Sequence, residues 1–326
     1  MLRAVVREYV KDEKPVGSET VRARHHVRAS SATIRLDMAA LSEMGLFSQP
    51  HSSSGRIPTA SGYRAYVRHL PSPRLDSRGE VLLRAPLRKA QDLTEALAMV
   101  TRALADLTQL VALATPPIAG GLRLDSVKLR HVSAQMVLLA YSLSDGTRGE
   151  ALVPLQDAAP AHSVDEWRRA LEGLEPIGVE SLAASAPPAV PEPVWRALVE
   201  DILRHVGMLV ISQGASHLAT KPEFSTHLSL ADLLALIGNP GRAYALLTRV
   251  QPGQETRTLI DGADTGDQLR DCALVVGSFG GEASRSGRVA VLGHMRMHYD
   301  RSIAATAHAA GLLDDAWARR SEEPEG

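Results

Sequence analysis

The chain has 326 residues, 44% hydrophobic and 22% charged, with a formal net charge of −1, the balance of a globular protein of two or three domains. Its one cysteine, Cys272, excludes an internal disulfide. Arg3, Arg7, Glu8 and Lys11 interrupt the first turns and no run of 18 apolar residues occurs, so neither a signal peptide nor a membrane span is expected and the chain reads as cytoplasmic. Residues 1–70 hold 11 Lys+Arg against 6 Asp+Glu, a balance of +5, and the rest balances at −6. A basic head on an acidic body suits a nucleic-acid module carried by a regulatory or oligomerising body.

Leu2, Val5, Val6, Tyr9 and Val10 recur at helical spacing and predict a first helix, ended by Lys14-Pro15-Val16-Gly17. Ser18 is placed to cap a second, short helix through Thr20, Val21 and Arg24. Ser30-Ser31-Ala32-Thr33 opens a third, with either serine able to accept from an orphan backbone N–H. Ile34, Met38 and Leu41 share one face of it, and Gly45 ends it. Leu46 to Pro50 and Arg56-Ile57-Pro58 read as short strands around a loop, His51 to Gly55, and the prolines suggest an edge. Thr59 caps a further helix through Tyr63, Tyr66, Val67 and Leu70. Three helices followed by a hairpin predict a winged helix-turn-helix over residues 1–72.

Pro71-Ser72-Pro73 is a linker signal. Leu93, Leu97, Val100, Leu104, Leu107 and Val111 then alternate steps of four and three inside a connecting helical region, 73–113. That stripe either packs on its own domain or pairs with a second copy. Val127 and Leu129 alternate with polar residues, Met136 to Ala140 is an apolar run, and Asp145-Gly146 precedes Glu150 to Leu155, predicting strands and a hairpin. Ser163 with Glu166 reads as a capping box, and Pro187 to Pro193 as a stiff extended linker. Helices are expected over 194–212, 229–237 and 242–250, strands over 256–260, 273–279 and 288–292, and a last helix over 299–313. Strand, helix block, strand predicts an α+β fold with a helical insertion. The expected parts are 114–162 and 253–326 of one domain, interrupted by 163–252.

Function concentrates on the third helix. A recognition helix presents its N-terminal residues to base edges in the major groove, where Arg can bond guanine bidentately and Ser or Thr can bond bases or phosphate. Ser31, Thr33 and Arg35 are the expected base contacts, with Ser30 beside them at the helix start. Arg22, Arg24, His25, His26 and Arg28 precede the helix and are placed to hold the DNA backbone. Arg28, His51, Ser53 and Arg56 are the expected backbone or wing-side contacts.

The runs SSATIRLDMAALSEMGL at 30–46 and QPHSSSGRIPTASGYRAYV at 49–67, with PVGS at 15–18, resemble the HrcA heat-inducible repressor family. The resemblance returns at Gly214 to Phe224, around KPEF, and at GRVAVLGHMRMHY over 287–299. It implies a winged helix, a GAF-like domain and a dimerising helical segment inserted into that domain. It also implies a homodimer that binds an inverted repeat in double-stranded DNA upstream of chaperone operons, with a chaperonin as a further partner. Two departures fall in the GAF-like part. His294 and Met295 stand where the family has Pro and Thr, and Ile260-Asp261-Gly262-Ala263 differs from Ile-Gly-x-Glu.

Enzyme readings find little. His294 and His298 are four apart, but Met295 occupies the position where a zinc protease carries its catalytic Glu. No nucleophile elbow, Walker loop or dinucleotide fingerprint occurs, and Cys272 beside Ala273, Leu274 and Val275 reads as a buried structural thiol. No cofactor, metal or membrane partner is expected. Two other readings remain: a winged-helix regulator controlled by a small ligand in its GAF-like domain, and a protein-interaction module.

Overall fold

A computed structural model of the chain describes residues 1–25, 27–51, 54–117, 122–155, 157–205, 210–219, 229–248, 256–261, 269–280 and 286–321. The head begins with α1 (Leu2–Asp12), α2 (Ser18–Arg24) and α3 (Ser31–Glu43), followed by a hairpin of β1 (Phe47–Ser48) and β2 (Ile57–Pro58) and then α4 (Ala60–Arg68). Their apolar faces meet in a small core of Ala4, Val5, Val16, Val21, Ile34, Met38 and Phe47. Val16 and Arg56 exchange backbone hydrogen bonds of 2.9 Å, adding the segment between α1 and α2 to the hairpin as a third strand. Two glycines make this packing feasible. A Cβ on Gly55 would lie 2.4 Å from the Val16 carbonyl, and one on Gly62 would lie 2.2 Å from the Leu46 oxygen.

Next come α5 (Ser77–Leu87) and α6 (Leu93–Thr108). The stripe Leu97, Val100, Leu104 and Leu107 is buried inside the chain, so it packs on its own domain. Gln109, at φ 57°, ends α6, and Val111 begins a strand instead of continuing the stripe.

The main sheet is antiparallel and five-stranded, in the order β8 (Ile211–Gln213), β3 (Val111–Thr115), β11 (Gly287–His294), β10 (Cys272–Phe279), β9 (Arg257–Ile260). One face packs against α6 and the last helix, α12 (Tyr299–Ser321), through Ala112, Val275, Val289 and Val291. The other, carrying Leu113, Leu274, Val276 and Leu292, meets α9 (Ala215–Ala219), α10 (Ser229–Ile237) and α11 (Pro240–Thr248). With both faces covered, the central strands are apolar throughout rather than alternating.

Between β3 and β8 the chain leaves this sheet and builds a second one, ordered β6 (Arg148–Pro154), β5 (Met136–Leu143), β4 (Arg123–Ser133), β7 (Ile177–Gly178). Its inner face, alternating with exposed positions, packs against α7 (Ala161–Glu172) and α8 (Glu192–His205). The expected Asp145-Gly146 hairpin joins β5 to β6: Gly146 N–H donates to Leu143 O at 3.0 Å, and Thr147 N–H to Asp145 Oδ1 at 2.8 Å. The fold class is α+β, and the excursion from the main sheet begins with strands, not helices.

Several local expectations need correction. Ser18 is the first residue of α2 rather than its cap. Ser163 and Glu166 form no capping box, because α7 starts earlier, behind Pro160, whose fixed φ already suits a helix entry. The proline run 187–193 is folded, not extended: Val190 is buried and its N–H donates to Pro187 O at 3.0 Å. Of the helix expected over 194–212, α8 covers the described residues up to His205, whereas Ile211–Gln213 is a strand paired with β3. The last helix runs to Ser321, past the expected 313, because Asp314 accepts Gly280 N–H at 2.6 Å and Trp317 lies against Gly280.

The head is seated on the body through α1 and α4. Asp300 accepts from Arg7 Nη2 at 2.6 Å and from Tyr66 Oη at 3.0 Å. Arg296 reaches Glu13 at 2.7 Å and Val10 O at 3.2 Å, and Arg64 donates to Ile260 O at 2.7 Å. The Tyr63 and Tyr66 rings pack on Tyr299 at centroid distances of 5.8 and 6.2 Å.

Candidate nucleic-acid interface

The start of α3 is fixed by its own sequence. Ser30 has extended backbone, and its Oγ accepts Thr33 N–H at 3.0 Å while bonding Thr33 Oγ1 at 2.8 Å. Ile34 and Met38 are buried beneath the helix, and Thr33, Arg35 and Leu36 point outward. Arg35 makes no hydrogen bond or ion pair among the described residues; its recorded neighbour is the Glu19 carboxylate, at electrostatic range. Leu36 is 71% exposed. Sequence reasoning passed over it because a leucine on a helix normally reads as core.

Ser31 is placed differently from Thr33 and Arg35. It is half-buried, and its Oγ lies 2.8 Å from Ser18 Oγ, tying α2 to α3. The same hydroxyl is the first cause, ahead of Arg22, that holds the exposed Glu19 carboxyl below its ordinary value.

Across from α3, the hairpin tip closes on itself. Ser54 Oγ accepts His51 N–H at 2.9 Å, and Ser54 N–H donates to His51 O at 2.9 Å, leaving His51 exposed. Ser53 and His26 lie outside the described residues. Arg56 is half-buried, with an Nε that is shielded and takes no hydrogen bond. A groove of about 380 Å³ runs between α3 and the hairpin, lined by Arg35, Gln49, Ser54 and Arg56 among others. Arg28 is exposed on the connection into α3.

The basic residues of α2 have acidic partners within the head. Arg24 bonds Glu8 at 2.7 Å and also Asp12, and these two carboxylates push its guanidinium pKa up. His25 Nε2 lies 3.0 Å from the other oxygen of the buried Glu8 carboxylate. Arg22 pairs with Glu19 at 3.2 Å. The acids lie on α1 and at the start of α2, a pairing that composition alone does not reveal.

Elsewhere the chemistry is quiet. Cys272 is buried, and burial first, then Asp271 and Asp261, pushes its thiol up to about 12. His294 ends β11, accepting Arg296 N–H on Nδ1 at 3.0 Å, and His298 lies ahead of α12, so the two share no helix. Among the described residues no group of three or more His, Cys, Asp or Glu is placed to hold a metal, and no helix is long and apolar enough to cross a membrane.

The family model described as the HrcA protein C-terminal domain matches residues 94–303. The chain belongs to the HrcA family. The heat-inducible transcription repressor HrcA of Thermomicrobium roseum is 30% identical, aligned over 100% of this chain and 96% of its own length. HrcA of Natranaerobius thermophilus is 30% identical over 96% and 94%. HrcA proteins are transcription repressors, not enzymes. A crystal structure described as a hypothetical protein shares the fold, with a TM-score of 0.57 at 22% identity over 98% of this chain and 96% of that one.

Proposed function

We propose that this HrcA-family chain represses heat-shock chaperone operons by occupying an inverted-repeat operator in the cytoplasm as a homodimer. The observation that carries the reading is the surface of α3: Thr33, Arg35 and Leu36 face outward over a buried Ile34 and Met38, and Arg35 shares a groove with Arg56 of the hairpin. Helix, strand, two helices and a hairpin, with Val16 as the third strand, support a winged helix whose second motif helix enters the major groove. Arg35 then reads guanine through its two-pronged donor set, and Leu36 covers a thymine methyl. Arg28, His51, Ser53 and Arg56 supply backbone and wing-side contacts, which position the protein without choosing the sequence. Ser30 caps α3 and Ser31 ties it to α2 through Ser18, so both mainly hold the helix at its angle.

The five-stranded sheet with helices on both faces supports the GAF-like reading of the body, and the excursion between β3 and β8 is then the inserted dimerising segment. The α6 stripe is already used inside the chain. An apolar patch does face outward on the second sheet, where Leu138 pairs across the strands with Leu152, 57% exposed. Two-fold symmetry of such a dimer matches a two-fold operator. The chaperonin enters this reading through family resemblance alone. Binding-site selection from random duplexes tests it: a palindromic site with a fixed half-site spacing is expected, and an unenriched pool at low salt refutes DNA reading altogether.

A further inference from the structure

The interior of the main sheet contains a charged side chain. Arg288, on β11, is 2% exposed, and strand alternation puts it with Ala290 and Leu292 on the face toward α10 and α11. Its Cα partners are Thr115 on β3 and Ser278 on β10. Directly paired residues project from the same face, so hydroxyl, guanidinium and hydroxyl form a row across three strands, each about 4.8 Å from the next. Tyr244 of α11, also buried, is close enough to act on Arg288 electrostatically.

What the row lacks is an acid. Arg288 Nη1 donates to Ser286 O at 2.6 Å and Gly287 O at 3.2 Å, both carbonyls of its own segment. Its Nε is buried without a hydrogen bond, and so is Thr115 Oγ1. No carboxylate pairs with the guanidinium among the described residues. Burial lowers the affinity of Arg288 for its proton, yet an arginine in a protein keeps its charge. An uncompensated buried charge is costly, and neighbouring polar orphans are rare in a core built for packing alone. Ser278, at the β10 end of the row, is only partly buried, whereas Arg288 and Thr115 are fully so.

We propose that Arg288, Thr115 and Ser278 form a binding site for a small oxyanion of the carboxylate or phosphate kind. Such an anion offers acceptors to Nε–H and to the hydroxyls, and its planar or tetrahedral oxygens fit the guanidinium fork. The site belongs to the body, distant in the chain from α3 and built from different elements.

Thermal unfolding of the full chain tests it, with sodium phosphate or sodium acetate replacing sodium chloride at constant ionic strength. The midpoint should rise saturably with at least one of the two, and the one that acts names the class. Arg288→Met should show no anion-dependent rise. Thr115→Val with Ser278→Ala, which keeps the charge and removes the hydroxyls, should raise the half-saturating concentration about tenfold. An equal rise in Arg288→Met, or no rise with either anion in the unaltered chain, overturns the proposal. Should Arg288→Met fail to fold, unchanged half-saturation in the double variant overturns it instead.

Discussion

Arg35→Ala separates base reading from charge attraction. In the free protein Arg35 is exposed and holds no hydrogen bond or ion pair among the described residues, and alanine is the better helix former. The substitution should therefore leave folding within about 0.5 kcal/mol, as for other surface changes away from specific contacts. Whatever binding is lost is then lost at the DNA. A bidentate contact with guanine is worth about 1–3 kcal/mol of discrimination, which converts to roughly a 5- to 150-fold weaker complex with the selected operator. Titration of the operator and of a random duplex of the same length, at two or more salt concentrations, is the assay. Operator affinity should fall by that factor while random-duplex affinity changes little. Equal losses on both duplexes, with the salt slope reduced by about one, would show that Arg35 touches phosphate and reads no base.

Other consequences follow from the same geometry. Ser30→Ala removes the cap on Thr33 N–H and should cost about 1 kcal/mol, seen as a roughly fivefold drop in hydrogen-exchange protection across α3. Leu36→Ala should leave protection untouched, since the side chain is 71% exposed, yet relax the operator preference at one A·T position by about 1 kcal/mol; an unchanged selected site refutes the thymine contact. Glu8→Ala strips Arg24 and His25 of a buried acceptor. It should weaken residues 1–70 by about 2–3 kcal/mol, discounted for the half-exposed Arg24. Arg22→Ala, which breaks an exposed pair, should by contrast change almost nothing. The Cys272 thiol, held up to about 12 when folded against an ordinary 9.0, should resist maleimide at pH 8 until urea is added. Its sign is clear: above about pH 9 the unfolded chain releases this proton first, so ionisation there favours unfolding.

The head was legible in the sequence because its signals are local. Ser30 and Thr59 cap the helices they precede, and the strands flank the loop that composition marks. The body was less so. β3 follows α6 with an unbroken apolar run, Val111 to Ala114, that suits a buried strand and a helix end equally, and the stop between them is Gln109 rather than a glycine. β8 is three residues whose strand character comes from β3 alongside. The separation of β4–β7 from the main sheet is a fact of pairing over long sequence distance, which alternation within each strand does not encode. On the outer face of α3, Arg35 was expected from its place on the helix, whereas the exposure of Leu36 was not, because exposure belongs to the fold and not to the residue type. Ser31's bond to Ser18 depended on the angle between two helices.

The tie between Tyr66 and Asp300 spans 234 residues. At ribosomal speeds of roughly 5–20 residues per second, α1 and α4 wait about 10–50 s for the segment that will anchor them. During that interval the first 70 residues depend chiefly on the small core around Val5, Ile34 and Phe47. A product terminated before Arg296 therefore lacks Arg296, Tyr299 and Asp300, and of the contacts that seat the head it retains only that of Arg64 with Ile260.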